Sequence, residues 1–554
     1  MLKFSLKFLL FIMILIFLNP VHSQSIMGKL IIFHVDFNSV SLNKNYLKEW
    51  LKNASEMGYN AVLWEVENEI QWETCPECVS DDAFTKSEFR EILDYSRNLG
   101  LEPIPLFQTI GHAEYVLRHK KYFSYREDPD RYDCYCTSDP DVRQFLKTWI
   151  KEYIDLFGDI RYFHLGGDEA YKFGTCPECS IKVDKDGPNK LYAEHIIDVA
   201  QPLLQKNIKP GIWCDMALKH PESISVIPKD FIIWDWNYWD GVESPKKVML
   251  WKDYSRISSE DVTTEIKKQF PQILDSSGNL RPFYTIYMLK NHGYEIILCS
   301  STRSYGDAVF AGRHSVHAPN VVGASRVAAK EGLLGTCVTS WAVRIPNYET
   351  QWQWLYLGPL SFKYPELSYD TLLEKTTENL FGENGANFYE AINLIGHPFT
   401  FAKEKTTGIG WTGMKDSEPA PPEYIKELIE KWKTSVDGKA WANIETEISS
   451  SPEKISNGLD ILNRYIPEAK RGMSILNAWS RTAYFQYWQS IIAKEIVHHE
   501  NGSPKISSTE IIEILHKLKA EYINWAETWM TTASANQNAG LIYDSILTYF
   551  KNYK

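Results

Sequence analysis

The sequence predicts a (β/α)8 TIM barrel followed by an all-α helical segment, and three observations carry that reading. Between residues 29 and 365, short apolar runs alternate with longer amphipathic stretches, as parallel strands joined by helices require. Eight such units fit into about 335 residues, the length of a barrel with some long loops. From Pro422 onward strand signals vanish and apolar residues recur at helical spacing, as in Ile425, Leu428, Ile429 and Trp432.

The candidate strands run Leu30 to Asp36, Ala61 to Glu65, Glu102 to Phe107, Tyr162 to Leu165, Lys209 to Cys214, Phe231 to Trp234, Glu295 to Ser300 and Leu334 to Thr339. The stretch Lys246 to Pro282 fits no unit and reads as an insertion. Glu418-Pro419-Ala420-Pro421-Pro422 is the expected junction, because prolines interrupt helices and stiffen linkers. This gives a catalytic barrel over 24–418 and a helical domain over 419–554. In the tail, Trp479, Tyr484, Tyr487 and Trp488 lie at helical spacing and read as packing residues.

Ahead of the barrel, Lys3 and Lys7 precede an apolar run from Phe8 to Leu18, then Pro20 and small or polar residues near Ser23. An apolar core of about eleven residues is short of the roughly 20 that span a bilayer, so residues 1–23 read as a secretory signal peptide. The expected location is therefore secreted or exported: extracellular, periplasmic or lysosomal. Asn53 and Asn501 open Asn-x-Ser sequons, which matter only in a eukaryotic source. No later segment reads as a membrane span.

With 554 residues and 44% apolar content, the chain is too long for one ordinary core and too apolar for disorder. The formal charge is -12, and loss of Lys3 and Lys7 would make it -14. Without clustered Lys and Arg, nucleic acid is excluded as the expected partner.

Barrel enzymes carry their reactive groups where strands end. The first candidate strand ends at Asp36, and the second runs into Glu65, Glu67 and Asn68. The third leads to Gln108 and His112, and the fourth to Asp168 and Glu169. The fifth ends at Asp215, and the sixth at Trp234, Asp235 and Trp236. The seventh approaches Arg303, Tyr305 and Asp307, and the eighth reaches Trp341. Acids beside tryptophans suit a pyranose, whose hydroxyls take directed hydrogen bonds while its C–H face packs on an indole. The sharpest signal is His164-Leu165-Gly166-Gly167-Asp168-Glu169, two glycines that let a strand end turn, then two adjacent acids able to divide proton donation from charge stabilisation. His164 lies inside its strand and reads as an orienting residue.

That hexapeptide resembles the His-x-Gly-Gly-Asp-Glu signature of glycoside hydrolase family 20, the β-N-acetylhexosaminidases. Pro103 to Glu114, Glu65-Val66-Glu67-Asn68, Ile212 to Met216 and Trp234-Asp235-Trp236 are similar to the hexosaminidase D subgroup, so the resemblance covers about residues 30 to 365. It implies exo-acting removal of terminal β-linked GlcNAc or GalNAc with retention, the sugar's own 2-acetamido oxygen attacking the anomeric carbon. No cofactor, metal or enzyme nucleophile is implied, and the family is an exception to the two-carboxylate retaining scheme. Carried over by position, Glu169 is the general acid and then base, a role that asks for a raised pKa, and Asp168 orients the acetamido N–H. Tyr305 matches the tyrosine that meets the amide oxygen, and Trp341 the tryptophan behind the N-acetyl pocket. His112, Glu65, Trp234, Asp215 and Asp307 complete the expected sugar contacts. Ser39 and Val343 stand where the better-known hexosaminidases carry an arginine and a glutamate, which leaves gluco or galacto preference open; Glu65 and Glu67, on one strand face, are replacement acceptors.

Of nine cysteines, Cys75 and Cys78 repeat the Cys-Pro-Glu-Cys of Cys176 and Cys179, and Cys134 and Cys136 lie after the third strand. Disulfides stapling the rim are expected, with a structural zinc site or free thiols as alternatives. Cys214, Cys299 and Cys337 read as buried apolar residues. Two rival functions fit the same residues: a catalytically silent glycan-binding barrel, and a metal-dependent hydrolase using His112, His164, Asp168 and Glu169.

Overall fold

A computed structural model describes residues 28–38, 40–304, 307–341, 347–396, 425, 430, 433–434 and 439–552. The leader, the proline-bearing junction, Ser39, Tyr305, Val343 and most of the 425–432 stripe lie outside the described residues.

Among the described residues there are ten strands: β1 Leu30–Asp36, β2 Ala61–Glu65, β3 Glu102–Leu106, β4 Tyr162–His164, β5 Lys209–Trp213, β6 Ile232–Trp236, β7 Val248–Leu250, β8 Ser255–Ile257, β9 Glu295–Arg303 and β10 Gly335–Ser340. Eight close into a parallel barrel in the order β1-β10-β9-β6-β5-β4-β3-β2, while β7 and β8 form a separate hairpin. That hairpin lies within Lys246 to Pro282, the stretch that fits no βα unit. The eight candidate strands coincide with the barrel; the first two match at both ends and the others differ by at most three residues at an end.

The period-2 alternation of a strand sorts side chains inward and outward. Leu30, Ile32, Ala61, Leu63, Ile104, Leu106, Trp213, Ile232, Trp234, Ile297, Cys299 and Cys337 fill the interior as one cluster. The intervening Ile31, Phe33, Val62 and Trp64 face the helical ring. Register keeps like with like: Ile32 pairs Ala61, Trp213 pairs Trp234, and Cys299 pairs Cys337. Asp36 pairs Glu65 by the same rule, so acids collect at the carboxyl end of the barrel.

The helical ring is built by capped amphipathic segments. Thr85 opens helix Lys86–Asn98 with a reciprocal capping box to Glu88. Asp139 and Pro140 open helix Pro140–Phe157, which buries Val142, Leu146, Trp149, Tyr153 and Phe157 on one stripe. Each large side chain buried there is worth about 1.5–3 kcal/mol.

Among the described residues, the carboxyl-terminal part has four long helices, Lys439–Tyr465, Met473–Glu500, Ser508–Ala526 and Thr532–Asn552. They share one continuous apolar core with the outer ring of the barrel. Trp479 packs edge-on against Trp354 and Phe485 stacks on Phe310, consistent with aromatics at helical spacing acting as packing residues. Ser534 Oγ accepts the Ser41 N–H and Thr531 N–H donates to Ser41 O, which fastens the tail to the loop after β1. No helix among the described residues is long and apolar enough to cross a membrane.

Candidate active site

β4 ends at His164, and Gly166 (φ 62°) and Gly167 (φ 86°) then carry the chain through left-handed backbone that only glycine adopts without strain. His164 Nδ1 accepts the Gly166 N–H at 2.9 Å, fixing the start of the turn. Complete burial, with His34 adding to it, holds the His164 imidazole well below its ordinary pKa, so the ring is neutral. The ring lies tilted against Trp213 and edge-to-face with Trp234. The orienting role expected of His164 is thus met by a ring nitrogen and two indoles.

The turn delivers Asp168 and Glu169 to one place. His112 Nε2 stands 3.2 Å from Asp168 Oδ2 and 3.4 Å from Glu169 Oε2. The two acids are unequal: the Asp168 side chain is 9% exposed and that of Glu169 33%. Glu169 Oε1 accepts the Tyr171 hydroxyl proton at 2.7 Å, and Glu169 N–H donates to Asp215 Oδ2 at 2.9 Å. Asp215 Oδ1 accepts from Trp236 Nε1 at 3.3 Å. Burial, reinforced by the neighbouring Asp168 carboxylate, pushes the Asp215 carboxyl up to about 7. Asp168 Oδ1 is buried with no hydrogen-bond partner among the described residues, an acceptor left unsatisfied by the chain itself.

Backbone strain gathers at the same rim. Of six non-glycine residues with left-handed backbone among the described residues, Glu67 (φ 35°), His112 (φ 54°) and Glu169 (φ 46°) follow β2, β3 and β4. Such conformations cost about 1–3 kcal/mol each and persist where surrounding contacts enforce them. A Cβ on Gly111 would overlap the Asp168 carbonyl oxygen, so the His112 loop and the acid pair approach as closely as backbone allows.

An aromatic wall borders the acids. Trp236 stacks on Tyr238 and meets Trp251 edge-on, and Trp251 meets Tyr254. Trp341 Nε1 donates to the Tyr238 hydroxyl at 2.9 Å, and Trp341 also packs against Trp213 and His34. Asp168 is among the charges that raise the Tyr238 hydroxyl, after burial itself, which brings that phenol near the pair. Tyr171, Tyr238 and Tyr254 were not among the expected sugar contacts. The dense run Trp234-Asp235-Trp236-Asn237-Tyr238-Trp239 was the signal available for Tyr238; Tyr254 arrives from the hairpin insertion and had none.

Three expected contacts fall elsewhere. Trp234 is 1% exposed and lies over Gly211 in the barrel interior, where it supports the floor and does not line the opening. Asp307 is bound by His317 Nε2 at 2.8 Å, Arg313 Nε at 2.8 Å and Ser304 N–H at 2.9 Å, so its carboxylate holds its own loop and helix together. Glu65 is buried between His34 Nε2 at 3.0 Å and Gln108 Nε2 at 2.9 Å, beneath the mouth. Glu67, two residues on, accepts from Asn38 Nδ2 at 3.2 Å.

The cysteine framework also differs from the rim staples expected. Cys75 and Cys78 are bonded to each other, closing a short turn instead of joining two loops. The one group of metal-competent side chains among the described residues is Glu127, Cys136, Cys176 and Cys179, with none of His112, His164, Asp168 or Glu169 in it.

Part of the chain is similar to known proteins. Hexosaminidase D of Homo sapiens is 28% identical over 237 residues, covering 40% of this chain and 48% of that protein. Hexosaminidase D of Bos taurus is 29% identical over 214 residues, covering 37% and 62%. The chain thus spans about half the length of the curated relatives it matches. Flavobacterium johnsoniae chitobiase aligns with 94% of this chain and 78% of its own at 15% identity and a TM-score of 0.46; the barrel assignment rests on the strand order itself. Residues 59–264 match the model of the glycosyl hydrolase family 20 catalytic domain, a stretch that holds the ends of β2 to β6 and the Asp168–Glu169 pair.

Proposed function

We propose that this protein is an exo-acting β-N-acetylhexosaminidase that removes terminal β-linked GlcNAc or GalNAc by substrate-assisted retaining catalysis. The observation that carries the reading is the unequal acid pair reached by one histidine, with the buried Oδ1 of Asp168 left for a ligand donor. In this scheme the acetamido N–H donates to Asp168 Oδ1, which turns the amide oxygen toward the anomeric carbon. The Asp168 carboxylate then offsets positive charge that grows on the acetamido nitrogen as the ring closes. Glu169, the more exposed acid, gives its proton to the departing glycosidic oxygen and afterwards takes one from the attacking water. Asp215, by holding the Glu169 N–H, fixes the strained backbone from which that carboxyl reaches the mouth.

Tyr238 suits the contact to the amide oxygen that the resemblance gives to Tyr305, since it is paired with Trp341 beside Asp168. Trp341, part-exposed and backed by the buried Trp213, provides an apolar floor for the acetyl methyl group. The apolar run from Phe8 to Leu18 supports export, which amino-terminal sequencing of protein recovered outside the producing cells would check. The deciding experiment compares aryl β-glycosides of GlcNAc, GalNAc, glucose and galactose. Turnover confined to the two N-acetylated sugars supports the acetamido group as nucleophile. Equal turnover of the plain sugars would overturn that mechanism, and no turnover of any would favour a silent glycan-binding barrel.

A further inference from the structure

We propose that Glu127, Cys136, Cys176 and Cys179 form a structural site for a zinc-class divalent cation that clamps the loop after β3 to the loop after β4. All four side chains are buried, and one ligand atom from each lies within 4.8 Å of the others. Cys136 Sγ is 3.4 Å from Cys176 Sγ and 3.7 Å from Cys179 Sγ, and Cys179 Sγ is 3.2 Å from Glu127 Oε2. Zinc takes thiolates at about 2.3 Å and carboxylate oxygen at about 2.0–2.2 Å in a tetrahedron, which sets neighbouring ligands roughly 3.5–3.8 Å apart. The observed spacings are close to those edges and far from the 2.03–2.05 Å of a disulfide. One S–S bond among three sulfurs would also leave the third thiol and a carboxylate buried together.

Charge points the same way. Glu127 is 1% exposed, and its Oε1 accepts the N–H groups of Thr175 at 2.6 Å and Cys176 at 2.9 Å. No Lys or Arg forms an ion pair with it among the described residues. A buried carboxylate is costly unless paired or bound to metal, and a dication held between Oε2 and the sulfurs supplies that partner. Cys176 caps helix Pro177–Asp186 and its sulfur accepts the Cys179 N–H at 3.3 Å, so the Cys-x-x-Cys turn aims both sulfurs to one side. With four protein ligands and no exposed position, the site is of the closed, structural kind, and three sulfurs select zinc over magnesium or calcium.

The contrast with Cys75 and Cys78 sharpens the assignment. That motif has the same four residues, but its two sulfurs are bonded to each other and belong to no group of metal-competent side chains among the described residues. The place of the proposed site explains its use. Tyr135, next to Cys136, donates its N–H to Ile110 O, and Ala113 N–H donates to Asp133 O, so the cysteine-bearing strand of loop frames His112. Thr175 follows Glu169 by six residues. A cation here would hold the two loops that carry His112 and the acid pair.

The test is metal analysis of the full-length protein, produced with zinc in the medium and dialysed against metal-free buffer. One zinc per chain by plasma mass spectrometry and native mass is expected. Cobalt(II) added after zinc removal should give thiolate-to-cobalt charge-transfer absorption. Cys179→Ser and Glu127→Gln should lose most of the metal, whereas Cys134→Ser, a buried cysteine outside the set, should keep it. If the variants fail to fold, the wild-type stoichiometry and cobalt spectrum decide alone. Less than about a tenth of a zinc per chain would overturn the proposal, whether alkylation mapping finds three free thiols or a disulfide among Cys136, Cys176 and Cys179.

Discussion

Gly111→Ala tests whether the acid pair depends on the close approach of the His112 loop. The added Cβ would fall well inside 3.0 Å of the Asp168 carbonyl oxygen, nearer than Cβ atoms come to other atoms, with Asp168 C at 3.3 Å and Ala170 N at 3.4 Å. The obstacle is backbone, which cannot swing aside as a side chain would. Relief therefore needs a shift on the order of 1 Å between the two loops, and Asp168 and Glu169 move with it. The shift cannot be absorbed at Glu169, whose N–H is held by Asp215 Oδ2 and whose φ is already 46°. Misplacement of that size costs about a hundredfold in rate. Because the lost contacts matter most in the transition state, the loss should appear in kcat more than in KM. The assay is steady-state hydrolysis of an aryl β-N-acetylglucosaminide, with near-UV circular dichroism and melting temperature to establish folding; overpacking of this kind destabilises by about 1–3 kcal/mol. Gly278→Ala is the control, a glycine at φ 83° with nothing within 4 Å of the added carbon, and should keep wild-type rates. A folded Gly111→Ala enzyme with kcat within about threefold of wild type would refute the placement argument, since general effects of a misplaced acid exceed that span.

Three other outcomes follow from the same geometry. Glu169→Gln should slow hydrolysis by at least about a hundredfold for glycosides with poor leaving groups and less for activated aryl ones; a uniform or absent effect would remove Glu169 as the proton donor. Asp168→Asn should weaken binding of a thiazoline mimic of the cyclised intermediate, and equal affinity in both proteins would overturn its role. Burial, with Asp82 adding to it, pushes Glu69 up to about 7 against hydrogen bonds from Ser41 and Ser80. Its contribution to stability is then fully present below pH 4.5 and lost as pH rises through 7, about 3 kcal/mol in all. Glu69→Gln should flatten the fall in melting temperature between pH 5 and 8, and parallel profiles would contradict the assignment.

The barrel was legible because a strand buried on both faces must be apolar, and eight such runs appear in order. The two largest errors in their ends share a cause. The sixth candidate strand stopped at Trp234 and the seventh at Ser300, yet β6 continues through Asp235 and Trp236 and β9 through Arg303. Hydrogen bonding to neighbouring strands goes on past the point where side chains turn polar, and polar residues are what a barrel mouth collects. The placing of Asp168 and Glu169 together after β4 was legible from a local motif, because it depends on a strand end and two glycines, and that of His112 from its position on the loop after β3. Asp307 was not, since its partners His317 and Arg313 lie on a later loop and helix. Trp234 was misplaced for a different reason: alternation points it inward correctly, but only Gly211 opposite reveals that the interior has room for an indole below the rim.

The same reasoning separates what the two cysteine motifs do. Identical Cys-Pro-Glu-Cys segments invited one shared explanation, yet each follows a different strand and meets different neighbours. After β2 the motif closes on itself; after β4 it meets Cys136 and the buried Glu127 from the loop before it. What distinguishes them is supplied by residues about 40 to 50 positions away, at the spacing of one barrel unit. Chemistry at a barrel mouth is assembled this way throughout, one loop contributing a ligand or acid and the next fixing where it points, which is why Gly111, with no side chain at all, controls where Asp168 can stand.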